Sequence, residues 1–255
     1  MRAPATGTWI VDLDGVVWLA QEPIAGSAEA VARLRQAGVR VLFATNNALP
    51  TRRELVAQLD AVGIVATPED LVTSAEAAAS MLVAGSTAVV CADGGVIEAL
   101  GEAGIAVVPE GPADAVVVGL TRRFDFAMLA TAVSAVRGGA RLIGTNEDAT
   151  YPTPAGLLPG AGALLAAVAT AAQVAPEVAG KPHDALVGLL RRRAADATVV
   201  VGDRPSTDGA LAGRLAVPFA LVRSGVTAPG DPVAEAEVAI DAADLAAVAD
   251  GALGA

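Results

Sequence analysis

Thr8-Trp9-Ile10-Val11-Asp12-Leu13-Asp14-Gly15-Val16-Val17 decides the fold. A short run of β-formers ends abruptly in two acids, one residue apart, and a glycine. A run apolar on both faces belongs inside a parallel sheet covered on both sides, not in a sheet with one wet face. Further apolar runs predict strands at 40–45, 88–92, 115–120, 141–145, 198–202 and 218–222, beside 8–12 itself. Alanine-rich segments between them predict helices over 27–37, 51–62, 74–82, 96–103, 126–137, 162–172, 183–193 and 207–214. Strands alternating with helices read as βαβ units, hence an α/β fold with a doubly wound, mostly parallel, Rossmann-like core sheet.

The 255 residues suit one large domain or two modest ones. Breaks fall near 83–86 and 175–180, and the piece between them carries several strands of its own. One arrangement places an α/β domain, residues 83–175, as an insert in a core made of 1–82 and 176–255. The other is a single continuous sheet; periodicity alone leaves both open.

Composition removes several function classes. With 17 Lys+Arg against 28 Asp+Glu, net charge is -11, so no basic field gathers nucleic acid or an anionic membrane. One Cys excludes a disulfide framework and Cys-x-x-Cys chemistry. One His, His183, excludes zinc sites built on several imidazoles, and no Gly-x-Ser-x-Gly elbow accompanies it. The apolar stretch 9–20 is cut by Asp12 and Asp14, unlike a signal peptide. No run reaches the roughly 20 apolar residues a membrane span needs. The expectation is a cytoplasmic protein whose proton transfers fall to carboxylates.

In open parallel sheets, ligands bind beyond the carboxyl ends of the strands. Asp12-Leu13-Asp14-Gly15 follows the first strand, Thr45-Asn46-Asn47 the second, and Gly202-Asp203, with Asp208 five residues on, the strand at 198–202. An Asp at a strand end is commonly a cap or turn residue. Asp12, Asp14, Asp203 and Asp208 brought together are different, because their mutual repulsion calls for a cation. Hard oxygen ligands suit Mg²⁺. Thr45, Asn46 and Asn47 offer hydroxyl, amide and backbone donors for a phosphate; taken alone they read as an Asx turn. Lys181, in Gly180-Lys181-Pro182, is the only lysine of a chain that otherwise uses Arg. A site needing a compact ammonium rather than a planar fork accounts for its retention.

Asp12-Leu13-Asp14-Gly15-Val16-Val17, Thr45-Asn46-Asn47, Gly180-Lys181-Pro182 and Gly202-Asp203 through Thr207-Asp208 resemble, in order, the four motifs of the haloacid dehalogenase superfamily. Residues 144–152 and 156–162 are similar to the cap signature of its phosphatase branch with a large (C2-type) α/β cap. That branch contains p-nitrophenyl, glycerol-3-phosphate, phosphoglycolate and pyridoxal phosphatases. A common form of the signature carries Pro where this chain has Glu147. The resemblance spans nearly the whole chain. It implies a Mg²⁺-dependent phosphatase of small phosphorylated metabolites, working through an aspartyl-phosphate.

The same resemblance makes Asp12 the nucleophile and Asp14 the acid and base. Asp12, the backbone carbonyl of Asp14 and Asp203 become metal ligands, with Asp208 supporting them. Lys181 becomes a partner of the phosphoryl oxygens. Tyr151, the sole tyrosine, matches a substrate contact of the cap, and Trp18 lies near the leaving-group side. A homodimer through the cap is a further implication.

Some features invite other readings. Gly160-Ala161-Gly162 imitates a dinucleotide fingerprint but lacks the third glycine. Cys91 reads as a small core residue. Arg191-Arg192-Arg193 reads as a helix C-terminus, where cations favour the dipole. The alternatives to a phosphatase are a receiver-like phospho-acceptor without turnover and, on the dinucleotide imitation, an oxidoreductase.

Overall fold

The computed structural model describes residues 2–20, 22–153, 156–233 and 236–254. In chain order it contains β1 (Thr8–Val11), β2 (Trp18–Leu19), β3 (Glu22–Pro23), α1 (Ser27–Gln36), β4 (Arg40–Thr45), α2 (Arg52–Ala61), β5 (Leu71–Thr73) and α3 (Ser74–Ala79). Next come β6 (Thr87–Cys91), α4 (Gly94–Glu102), β7 (Ala106–Val107), β8 (Ala115–Val118), α5 (Phe126–Arg137), β9 (Arg141–Gly144), β10 (Thr150–Thr153), β11 (Gly156–Pro159) and α6 (Ala161–Ala172). The chain continues with β12 (Glu177–Val178), α7 (Asp184–Arg193), β13 (Ala197–Gly202), a π-helical turn (Pro205–Gly209), α8 (Ala210–Leu215), β14 (Phe219–Val222), β15 (Ile240–Ala242) and α9 (Leu245–Leu253).

By internal packing the chain divides into two units. The first comprises residues up to Thr45, Val56–Val72 and residues from Val187 onward; the second comprises Asn46–Leu55 and Thr73–Leu186. The first holds a six-stranded sheet in the order β15-β14-β13-β1-β4-β5, the second a five-stranded sheet in the order β12-β9-β8-β6-β7. Among the described residues there are thus two main sheets, not one continuous sheet. The division also departs from the boundaries expected at 82/83 and 175/176, because segments 46–55, 73–82 and 176–186 pack with the insert. The physical tie is local: α3 packs on α4, and the Arg52 amide donates to the Glu98 carboxylate at 2.7 Å.

In the first unit β1 pairs in parallel with β13 on one side and β4 on the other, and β13, β14 and β15 continue in parallel. Trp9, Ile10 and Val11 are completely or nearly completely buried, as are Leu42, Phe43 and Val199–Val201, so the sheet is covered on both faces. The chain runs from β1 outward through β4, then returns to build β13, β14 and β15 on the opposite side. The order therefore reverses between β1 and β13, which makes the crevice beyond their carboxyl ends the place for a ligand.

The second unit repeats the logic with a smaller aliphatic core. Val89, Val116, Val118 and Leu142 of its sheet pack with Leu164, Leu165 and Val168 of α6 and Ala132 of α5. Cys91 belongs to this cluster, and burial pushes its thiol up to about 11, in keeping with a core residue rather than a nucleophile.

The expected helix over 207–214 starts later. Pro205 has no N–H and opens a wider π turn, with Asp208 and Gly209 both donating to the Arg204 carbonyl. Regular helix begins only at Ala210. β2, β3, β5, β7, β10, β11, β12, β15 and α9 were not expected. The strands among them are only two to four residues long. For α9 a signal existed: the Asp244 carboxylate accepts from the Ala247 amide at its start, and Gly254 ends it in the left-handed region.

Candidate active site

In the first unit the register decides the geometry. Trp9 lies beside Val199 and Val11 beside Val201, so Asp12 and Asp203 leave the sheet from adjacent strands at one edge. The Asp12 amide still donates to the Val201 carbonyl at 2.9 Å, extending the ladder by one residue. The π turn then swings Asp208 back over Gly202. Among the described residues, Asp12, Asp203 and Asp208 each offer a carboxylate oxygen, all within 4.8 Å of one another. Asp203 and Asp208 are 3% and 1% exposed.

Backbone amides hold the carboxylates in place. The Leu13 amide donates to Asp12 Oδ1 at 2.8 Å, Val226 to Asp203 Oδ2 at 2.6 Å and Arg204 to Asp208 Oδ2 at 3.2 Å. A side chain at Gly202 would put its Cβ 2.3 Å from the Asp208 carboxyl carbon, so glycine there is a condition of the cluster. Three charged, buried oxygen donors at this separation repel one another, and a small hard cation relieves that repulsion. The donor set fits Mg²⁺.

Asp14 stands apart from this trio. Its Oδ1 accepts from the Trp18 indole Nε1 at 3.1 Å, and Trp18 itself is 5% exposed. The tryptophan expected near a leaving group is thus a buried donor that orients a carboxylate. Thr45 is buried at the tip of β4, on the same sheet edge as Asp12.

The second unit carries the other expected residues. Lys181 is 2% exposed, and its backbone is clamped by one side chain. Its amide donates to Asn46 Oδ1 at 2.7 Å, while Asn46 Nδ2 donates to the Lys181 carbonyl and to Asp148 Oδ2, both at 3.3 Å. The Asn46 carbonyl in turn accepts from Ser74 Oγ and Asn146 Nδ2, each at 2.7 Å. Asn46, expected among phosphate donors, has its side-chain amide spent on fixing the lysine loop. Asn47 Oδ1 accepts from the Leu49 amide at 3.1 Å, an Asx turn. His183 Nε2 meets Glu147 Oε1 at 2.9 Å. Tyr151 is half-buried on β10, opposite Leu158 of β11. Nothing in the sequence had marked Ser74 or Val226, and Asn146 and Asp148 had been noted only as part of the cap signature, without a role; all four act through contacts distant along the chain.

Two family models match the chain: haloacid dehalogenase-like hydrolase over residues 9–106 and HAD-hydrolase-like over residues 178–248. This chain belongs to the haloacid dehalogenase-like hydrolase family. It is a hydrolase of the phosphatase branch. D-glycerol 3-phosphate phosphatase of Mycobacterium tuberculosis is 37% identical over 88% of this chain, and the match spans 65% of the relative's length. Dihydroxyacetone phosphatase of Corynebacterium glutamicum is 35% identical over 86% of this chain and 82% of its own. The crystal structure of the M. tuberculosis glycerol phosphate phosphatase in complex with magnesium superimposes with a TM-score of 0.87 at 33% identity, covering 97% of this chain and 78% of that one. Among the described residues, no helix is long and apolar enough to cross a membrane.

Proposed function

We propose that the protein is a Mg²⁺-dependent phosphatase of small phosphate monoesters, working through an aspartyl-phosphate on Asp12. The observation that carries the reading is the buried trio Asp12, Asp203 and Asp208 at the point where strand order reverses. A three-carbon phosphate, glycerol phosphate or dihydroxyacetone phosphate, is the substrate class favoured by the two relatives named above.

In this scheme Asp12 attacks phosphorus, the ester P–O bond breaks, and the Asp14 carboxyl donates its proton to the departing oxygen. The Asp14 carboxylate then takes a proton from water as that water attacks the aspartyl-phosphate, releasing inorganic phosphate and restoring Asp12. The Trp18 indole keeps Asp14 in the rotamer this shuttle needs. Asp12, Asp203, Asp208 and the Asp14 carbonyl hold the cation, which when bound neutralises charge on the phosphoryl oxygens. Lys181 adds an ammonium to the same charge balance, its loop set by Asn46, and Thr45 with the backbone after it binds phosphate oxygens. The inserted segment, expected over 83–175, serves as the cap that excludes bulk water, with Tyr151 touching substrate. A cytoplasmic location and a homodimer through the cap complete the proposal.

The test is phosphate release from glycerol 3-phosphate, dihydroxyacetone phosphate, a sugar-phosphate panel and p-nitrophenyl phosphate, with Mg²⁺ and with EDTA. Turnover that needs Mg²⁺ and vanishes in Asp12→Asn supports the reading. Turnover that survives either removal, or a stable phosphoprotein without phosphate release, overturns it.

A further inference from the structure

Asp203 is gripped by a turn that carries no acid of its own. Ser224, Gly225 and Val226 follow β14 in the first unit. The Val226 amide donates to Asp203 Oδ2 at 2.6 Å, and Ser224 Oγ donates to the Gly15 carbonyl at 2.7 Å. A Cβ at Gly225 would lie 2.0 Å from Asp203 Oδ2 and 2.5 Å from its carboxyl carbon. A Cβ at Gly15, on the opposite side, would lie 2.3 Å from the same Oδ2 and 3.0 Å from the Gly225 Cα. The carboxylate is sandwiched between two bare Cα atoms and held by the Val226 amide.

The two glycines are not equivalent. Gly15 has φ +82°, so any side chain there also strains the backbone. Gly225 lies outside that left-handed region, and the nearest atoms its Cβ would meet all belong to Asp203: Oδ2 at 2.0 Å, the carboxyl carbon at 2.5 Å and Cβ at 2.7 Å. The Asp203 side chain is therefore what must shift. The turn itself is anchored from behind. Arg223 makes paired bonds to Asp241 at 2.8 and 2.6 Å and donates to the Ala228 and Asp231 carbonyls at 3.0 and 3.1 Å, so it does not swing aside to make room.

We propose that Gly225, with the Ser224 hydroxyl and the Val226 amide, positions Asp203 as a cation ligand and thereby sets the protein's divalent-metal affinity. The inference rests on reading Asp203 as a ligand of the proposed Mg²⁺ site. Hydrogen-bonded partners behind metal ligands typically govern about 10–100-fold in affinity.

Mn²⁺ binding to the wild type, Gly225→Ala, Ser224→Ala and Asp203→Asn, followed by calorimetry or by the spin signal of free Mn²⁺, tests it without turnover. Gly225→Ala is expected to weaken Mn²⁺ binding about tenfold or more at temperatures where it is folded, and to melt below wild type in EDTA because the added carbon displaces Asp203. Its Mg²⁺ half-saturation in the phosphatase assay rises in step, while KM at saturating Mg²⁺ holds. If Asp203→Asn loses Mn²⁺ and Gly225→Ala binds like wild type, the positioning role is wrong. If Asp203→Asn also binds like wild type, the metal reading beneath it is wrong instead. Should Gly225→Ala fail to fold, Ser224→Ala decides: weaker Mn²⁺ binding supports the role, and unchanged binding overturns it.

Discussion

Asp208→Asn isolates the electrostatic strain of the acid cluster. Without a cation, three buried carboxylates lie with ligand atoms within 4.8 Å. At an effective dielectric near 20 each pair at that separation repels by about 3 kcal/mol, and Asp208 belongs to two such pairs. Water and counter-ions at the sheet edge screen part of this. The amide replacing the carboxylate still accepts from the Arg204 amide, now at 3.2 Å, but that bond weakens by about 1 kcal/mol when its acceptor loses charge. With screening halving the two pairs together to about 3 kcal/mol, and the weaker hydrogen bond subtracted, the net expectation is a gain of about 2 kcal/mol in EDTA. For a chain of this size that raises the melting temperature by about 4–8 °C.

Magnesium reverses the order. It stabilises the wild type by about 2.7 kcal/mol at a hundredfold excess over Kd, whereas the variant, short of a ligand, gains much less. Calorimetric melts in EDTA and across a Mg²⁺ titration read both signs. A variant that melts below wild type in EDTA, or that gains as much from Mg²⁺, would show that these carboxylates do not repel across a shared cation site.

Other expectations are simpler to check. Asp14→Asn should slow turnover of p-nitrophenyl phosphate by about 10²–10⁴-fold, with Mg²⁺ affinity retained, and near-normal rates would remove Asp14 from the proton shuttle. Lys181→Arg, though it keeps the charge, should lower kcat/KM, because a guanidinium does not fit a buried site shaped for an ammonium; unchanged kinetics would count against it. Cys91, buried and with its thiol raised to about 11, should resist thiol reagents at pH 8 until the protein unfolds. Glu177 is held below its ordinary value of 4.5 first by hydrogen bonds from Arg141, so its contribution is complete above that pH and fades as pH falls through the lower folded-state value. Glu177→Gln should therefore be less stable than wild type at pH 7 and converge with it near pH 3 in denaturant titrations.

Much of this molecule was legible from its residues, because the relevant signals are local. Seven apolar runs became strands, and each of the eight expected helical segments contains a helix, since hydrophobic runs and turn residues act within a few positions. The acids at strand ends were legible for the same reason: Asp12 and Asp203 mark where buried strands stop. Trp18 and Asn46 show the limit. Both had been read as groups facing a ligand, yet the indole orients Asp14 and the Asn46 amide clamps Lys181 and Asp148. The Asn46 role depends on a partner 135 residues away in sequence, which no local pattern encodes; the Trp18 partner is only four residues away, but residue type alone does not say whether an indole faces a ligand or a neighbouring carboxylate. The π turn at 205–209 was hidden too: Pro-Ser-Thr-Asp-Gly reads as the cap and start of an ordinary helix, and residue type does not show that the first ring is widened.

By itself the amino-acid sequence determined a doubly wound α/β chain, its family motifs and the acids that carry them, because burial pattern and residue type act over short spans. Only the tertiary structure decided which atoms meet. Parallel register put Asp12 beside Asp203, a widened turn brought Asp208 to them, and the missing side chains of Gly15 and Gly225 left room for one carboxylate. Close packing has no tolerance for an extra carbon at 2.0 Å, and that constraint exists only once distant segments have come together.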